Sequence, residues 1–191
     1  MTYLNGKTMS NHTDLMRHHG VGPEAMATTL PIAGYPDIRE YLTQGILNHP
    51  LTYIYPKKPN NAFNAELVLD LVCKELLLGQ VSAHSLYLVD VHAALFSDEE
   101  EAKQAYNAMV DADVICIRGF YQFGASAEQF FTPQQRQRMY SWMRQRVAKG
   151  AHYILQGETP PAAITGWWTH PLSSWVVQKG KHFEIGEVAT K

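Results

Sequence analysis

Leu51-Thr-Tyr-Ile-Tyr55, Pro56-Lys-Lys-Pro-Asn-Asn-Ala62 and Glu66-Leu-Val-Leu-Asp-Leu-Val-Cys-Lys-Glu-Leu-Leu-Leu78 follow one another closely, and their reading decides the fold class. The first run is short, apolar and rich in strand formers, and the second is crowded with breakers. The third is apolar at nearly every position except Glu66, Asp70 and Lys74, which recur every four residues. The pattern predicts a strand, a tight loop, and a helix buried over most of its circumference with one narrow polar stripe, as beside a central sheet.

Downstream, the same alternation repeats. Ser85-Leu-Tyr-Leu-Val89 reads as an interior strand with Asp90 at its carboxyl end and His92 just beyond. Ser97-Asp-Glu-Glu100 reads as a capping box with Ser97 as N-cap, followed by an inward stripe of Ala102, Ala105, Tyr106, Met109 and Val110. Val114-Ile-Cys-Ile117 is a third strand, and Thr132-Pro-Gln-Gln135 opens a helix that turns Met139, Trp142, Met143 and Val147 inward and stops at Gly150. Tyr153-Ile-Leu155 is a fourth strand and Phe183-Glu-Ile185 is strand-like. Strands alternating with helices predict an α/β fold with a mostly parallel sheet and right-handed crossovers. Upstream, Tyr35–Ile46 is expected to form a short helix, and residues 1–30, which lack a sustained period, read as a mobile leader or interaction arm ahead of one domain over 31–191.

Composition narrows the function classes. A chain of 191 residues suffices for one well-filled core. A formal net charge of -2 gives no global drive toward nucleic acid. Cys73 and Cys116 both sit in apolar runs, which suits buried free thiols and a reducing cytoplasm. No apolar stretch reaches the roughly 18 residues that span a bilayer. No HExxH or Cys/His ligand spacing points to a metal, and Ser126 and Ser141 lack a nucleophile-elbow context.

The strand–loop–helix at 51–78 has the layout of a phosphate-binding loop without its chemistry. A working GxxxxGK[ST] loop needs glycines for close backbone approach, a lysine for the phosphates and a hydroxyl for magnesium. Here Ala62 stands in the lysine's place and Phe63 in the hydroxyl's, no loop glycine remains, and Pro56 and Pro59 each remove a donor. Lys57 and Lys58 offer positive charge, and Asp90 is the one nearby candidate to replace a metal ligand; a turn or capping role is the ordinary account of it. At the end of the third strand, where hydrolysis needs two acids, the chain has Arg118 and Gly119.

From about Pro31 to Val177 the order and spacing of these segments resembles the helicase-loader and transposition-helper branch of the AAA+ ATPases, the DnaC, DnaI and IstB type. Thr52 to Leu77 is similar to that family's Walker A strand, loop and helix, Ser85–Phe96 to its second strand, and Ala112-Asp-Val-Ile-Cys-Ile-Arg-Gly119 to the lead-in of Walker B. Gln137–Gln156 resembles the helix and sensor-one strand, although Gln156-Gly157-Glu158 replaces the usual polar ending. Leu172-Ser-Ser-Trp175 looks like the segment that supplies an arginine finger, with Trp175 in the arginine's place. The resemblance implies a three-layer P-loop NTPase-like fold without a normal lid, and a degenerate nucleotide site at Pro56, Lys57, Lys58, Ala62, Phe63, Arg118, Gly119 and Glu158. No cofactor and no ATP hydrolysis are expected of it.

Several surface groups remain as candidates for binding. Tyr121, Phe123, Phe130 and Phe131 crowd the segment after the third strand, and Trp167, Trp168 and Trp175 cluster near the carboxyl end; both groups suit either burial or a partner surface. Arg136, Arg138, Arg144, Arg146 and Lys149 concentrate positive charge on one helix, which suits either DNA-backbone contact or a solvated face. The preferred reading is a noncatalytic pseudo-ATPase that docks onto a helicase, an active ATPase or another subunit of a larger assembly, self-association included. The alternatives are a divergent ATP-dependent loader and a salt-sensitive DNA-binding accessory protein.

Overall fold

The computed structural model describes residues 3–4, 7–8, 12–27, 48–58, 62–121, 131–161, 163 and 170–186. A small antiparallel pair, β1 (Tyr3–Leu4) and β2 (Lys7–Thr8), precedes two short helices, α1 (His12–His18) and α2 (Pro23–Ala27). The main run is β3 (Leu51–Pro56), α3 (Ala62–Leu78), β4 (Ala83–Tyr87), α4 (Leu88–Phe96), α5 (Glu100–Asp111), β5 (Val114–Tyr121), α6 (Pro133–Ala148), β6 (His152–Gly157), α7 (His170–Lys179) and β7 (Lys181–Ile185).

The five strands β3 to β7 form one sheet in the order β4-β5-β6-β3-β7, and every neighbouring pair is parallel. Helical crossovers make this geometry obligatory, because parallel neighbours cannot be joined by a hairpin. Side chains alternate between two cores. Leu51, Tyr53, Ile115, Ile117, Tyr153 and Leu155 face α5, α6 and α7, whose Met109, Met139, Met143, Leu172 and Val176 close that layer. Ile54, Val114, Cys116 and Ile154 face α3, whose Ala65, Val68, Leu69 and Val72 close the other. The result is three layers, helix on sheet on helix, as expected of an α/β fold with a parallel sheet.

Local signals explain most boundaries. Thr132 Oγ1 accepts from Gln135 N at 3.2 Å while Gln135 Oε1 accepts from Thr132 N at 2.9 Å, and Pro133 begins the helix, so the predicted capping box of α6 is formed in full. Two expectations are corrected. The run Ser85–Val89 straddles a junction: the strand stops at Tyr87 and Leu88 already starts α4, with Asp90 at its third position accepting from Tyr87 N at 3.2 Å. Helix α5 starts at Glu100 with Glu99 as N-cap, because Ser97 Oγ accepts the Glu99 amide at 3.2 Å in the loop instead of capping the helix itself.

The largest departure lies in the leader. Residues 12–27 do not form a mobile arm: Met16, Val21 and Ala25 are buried in the same core as the inner face of α3. The predicted helix over Tyr35–Ile46 lies outside the described residues. Among the described residues no helix is long and apolar enough to cross a membrane.

Candidate functional site

In this architecture a ligand is expected at the carboxyl ends of the strands beside the start of α3. Strand β3 ends at Pro56, Lys57 and Lys58 are exposed, and the Lys57 amide donates to Ile185 O at the end of β7 at 2.8 Å. That donor is engaged by the sheet. Helix α3 opens at Ala62-Phe63, and residues 59–61 between them lie outside the described residues.

Strand β5, separated from β3 by β6, carries no acid over its last residues, Arg118 to Tyr121. β5 runs past the predicted end at Ile117 to Tyr121, so Arg118 and Gly119 lie within the strand. Gly119 has φ of 64°, and the pairing with β6 shifts between Ile117 and Tyr121, which marks a bulge. The Gly119 amide released by the bulge donates to Gln156 Oε1 at 2.8 Å, and Gln156 Nε2 donates to Gly157 O at 3.2 Å. Gln156, at the sensor-one position of the resemblance and 1% exposed, thus repairs the sheet with both ends of its amide.

Arg118 is buried and points into the α3 layer. Its Nη1 donates to Asp70 Oδ2 at 3.1 Å, its Nη2 donates to Gly20 O at 3.0 Å, and its guanidinium lies 4.1 Å from the centre of the Tyr87 ring. Asp70 in turn accepts from Gly22 N and from Ser85 Oγ, each at 3.0 Å. Burial raises the Asp70 carboxyl above its ordinary range, with Arg118, Ser85 and Gly22 acting in the opposite direction. Four segments meet here: the α1–α2 turn, α3, β4 with Ser85 and Tyr87, and β5. The group is a buckle that ties residues 19–22 to the sheet.

The polar stripe of α3 is therefore a docking face. Asp70 is 6% exposed, and Lys74 Nζ donates to Ala25 O at 3.1 Å. Glu66, one turn before Asp70, is half-buried and its carboxyl is raised by burial, with Arg118 lowering it and Asp70 and Glu158 raising it. Two histidines adjoin the buckle: His19 and His84 sit edge to face with centroids 5.7 Å apart, and Ser85 N donates to His19 O at 2.8 Å. Burial, followed by neighbouring His19, His18 and Arg118, lowers His84 to about 4, and burial lowers His19 as well.

The other predicted residues separate into distinct roles. Trp175 is 5% exposed, with Tyr140 edge-on at 6.0 Å and Arg144 5.4 Å from its ring centre, so it serves the core and not an exposed anchor. Phe131 is likewise buried, meeting His92 at 4.8 Å and Phe96 at 6.1 Å. Tyr121 ends β5, while Phe123, Phe130, Trp167 and Trp168 lie outside the described residues. Arg146 Nη2 donates to Met109 O at 3.0 Å and Ala112 O at 2.7 Å, closing the carboxyl end of α5. Arg136 is half-buried, and Arg138, Arg144 and Lys149 are exposed. Cys73 and Cys116 are buried free thiols, and Cys116 is pushed up by its contact with Cys73 and by burial. No group of three or more His, Cys, Asp or Glu side chains is placed to hold a metal ion among the described residues.

The members of the buckle other than Arg118 escaped the sequence reading. Asp70 was visible as an acid in an apolar helix, but its four-residue spacing from Glu66 and Lys74 made a wet stripe the natural account. Gly22, Ser85 and the histidines carry no local signal, since only the fold brings them together.

Compared with solved structures, the chain matches AMPPCP-bound DnaA from Aquifex aeolicus at 16% identity and a TM-score of 0.57, over 87% of this chain and 51% of that one. The shared fold is α/β with a mostly parallel central sheet, consistent with a P-loop NTPase-like architecture. A replication initiator DnaA bound to AMPPCP and single-stranded DNA matches at 11% identity and 0.58, and a DNA replication initiation factor at 12% and 0.59, with similar coverage. The chain spans about half the length of these structures. The sequence matches no family model, and no curated protein is significantly similar to it. The likeness runs to DnaA and replication-initiation structures and concerns the fold; the loader branch expected from the sequence, DnaC, DnaI and IstB, is not singled out by it.

Proposed function

We propose that this chain is a noncatalytic pseudo-ATPase: an AAA+-like domain that acts as a protein-binding adaptor or regulatory subunit, with a partner in DNA replication or mobile-element machinery. The observation that carries the reading is Arg118. A cation stands where hydrolysis needs carboxylates, and it is committed to Asp70 and Gly20 inside the fold. The other positions agree with it. Gln156 is held by the β5 bulge, Trp175 is packed under Arg144, Asp90 caps its own helix, and the loop sequence lacks the glycines and lysine that grip phosphate.

Calorimetric titration of the protein with ATP and magnesium tests this directly. The expected result is negligible heat and no magnesium dependence. Saturable, magnesium-dependent binding at one site per chain, or turnover abolished by Asp90→Ala, overturns the reading in favour of a divergent loader. Affinity for DNA that falls steeply with salt would favour the accessory DNA-binding alternative; against it, Arg146 is tied to α5 and Arg144 to Trp175.

A further inference from the structure

The chain has two cysteines, and the fold brings both to one point in the α3 layer, where Cys73 and Cys116 are each 0% exposed. Two anchors fix α3 over the strands at this level: Asp70 accepts from Ser85 Oγ on β4 at 3.0 Å and from Arg118 Nη1 on β5 at 3.1 Å. Ser85 lies opposite Cys116 in the β4–β5 ladder, and Cys116 precedes Arg118 by two residues on the same face of β5. Helix α3 joins parallel strands and so runs against them. Cys73, three residues after Asp70 on the same helix face, is therefore displaced by about 4.5 Å in the direction that leads from Arg118 back to Cys116. Helical side chains lean toward the amino end of their helix, which returns the Cys73 thiol toward the level of Cys116. The two thiols accordingly meet: a hydrogen bond between their side chains is the main cause that raises the Cys116 thiol, ahead of burial.

We propose that Cys73 and Cys116 form a redox lock: a buried dithiol that a low-molecular-weight disulfide such as oxidised glutathione converts into a covalent bridge between α3 and β5, beside the Asp70–Arg118 buckle. One protein thiolate attacks the sulfur–sulfur bond of oxidised glutathione, forming a mixed disulfide and releasing one glutathione thiolate; the second protein thiolate then displaces the other glutathione. The protein thiols together give up two electrons, and their two protons pass to the released glutathiones. One protein disulfide and two reduced glutathiones result. In the unfolded chain the same bond must close a loop of roughly 40 residues, so an unstrained native bridge is favoured by about a thousandfold. Complete burial makes closing and opening slow, because a reagent reaches either sulfur only when α3 lifts from β5. In reducing surroundings the pair stays as thiols and packs as small apolar groups. Once closed, the bridge holds α3 on the sheet whether or not the buckle is intact, and it does not depend on whether nucleotide binds.

The full chain is equilibrated with mixtures of reduced and oxidised glutathione, folded in buffer and unfolded in urea, and its intact mass is read after acid quenching. The expected product has lost two hydrogens, carries no glutathione, and yields a peptide linked through Cys73 and Cys116. Its formation should be favoured at least about tenfold more in the folded chain than in the unfolded one. The oxidised protein should melt at least about 5 °C above the reduced protein, a shift that dithiothreitol reverses. Cys73→Ala and Cys116→Ala, treated identically, should show no such rise, and either variant that folds serves as the control. A folded-state preference below about tenfold overturns the proposal, as do glutathione adducts in place of the bridge, a bridge only between chains, or a melting shift that persists in a single-cysteine variant.

Discussion

Replacing Arg118 by methionine keeps the apolar stem and removes the guanidinium, which isolates the contribution of the buckle. Asp70 then keeps only the Gly22 amide and the Ser85 hydroxyl, and Gly20 O loses its donor. Breaking a buried ion pair by removing one partner costs about 3–5 kcal/mol, because the other charge stays in the interior. Burial already raises the Asp70 carboxyl, so it can take up a proton and limit the loss, which favours the lower end near 3 kcal/mol. For a domain of this size that corresponds to a fall in Tm of about 6–12 °C. The loss should be local first: α1 and α2 hold on through Met16, Val21, Ala25 and the buckle, and α3 has its own packing on the sheet. Thermal unfolding followed by circular dichroism gives the magnitude, and hydrogen exchange read by mass spectrometry gives the location. Peptides covering residues 12–27 should lose protection well before those covering β5 and β6. Asp70→Leu combined with Arg118→Met removes both charges and should destabilise by less than the sum of the two single changes. A fall under about 2 °C with unchanged exchange over 12–27 would refute the assignment of Arg118 as a structural clasp.

Two further outcomes follow from the same region and its neighbour. Burial lowers the His84 pKa to about 4 and that of His19 as well, so the unfolded chain binds more protons than the folded one between about pH 6.5 and pH 4. Stability is therefore complete above about pH 6.5 and declines through that window, by about 3 kcal/mol for His84 alone, and urea titrations of His84→Gln should show a flatter profile over the same range. At the other edge of the site, a Cβ on Gly157 would lie 2.0 Å from Tyr53 Oη, which donates to Thr159 O at 2.9 Å inside the core. Gly157→Ala should cost about 1–3 kcal/mol by chemical denaturation, and adding Tyr53→Phe should recover part of it; full stability in the single variant would contradict the close packing described.

The fold was legible where burial is set by local pattern. The apolar runs around Ile54, Val114 and Ile154 lie between two helical layers, and such doubly covered strands announce themselves as continuous hydrophobic stretches. Thr132-Pro133 with Gln135 fixed the start of α6 because a cap is chemistry between residues three apart. Sequence also shows that the residue types of a GxxxxGK[ST] loop are absent from 56–63, since type at one position is a local matter. What replaced them was hidden. That Arg118 would meet Asp70, and both would fasten residues 19–22, depends on contacts between segments far apart in the chain, and a period of four along α3 is the same whether water or another helix lies against it. For the same reason the irregular composition of residues 12–27 concealed helices whose stability comes from what they pack on.

Strand β3, the earliest member of the sheet to be synthesised, occupies an interior slot and pairs only with the last two strands: Thr52 sits opposite Ile154 on one side and Lys181 on the other. A nascent chain on the ribosome therefore cannot complete this sheet until Ile185 has emerged, and β3 waits meanwhile with both edges unpaired. High contact order of this kind slows folding and lengthens the exposure of an aggregation-prone segment. Truncations that remove β7 should leave β3 with an open flank, so accumulation in insoluble material is the fate to look for in such fragments.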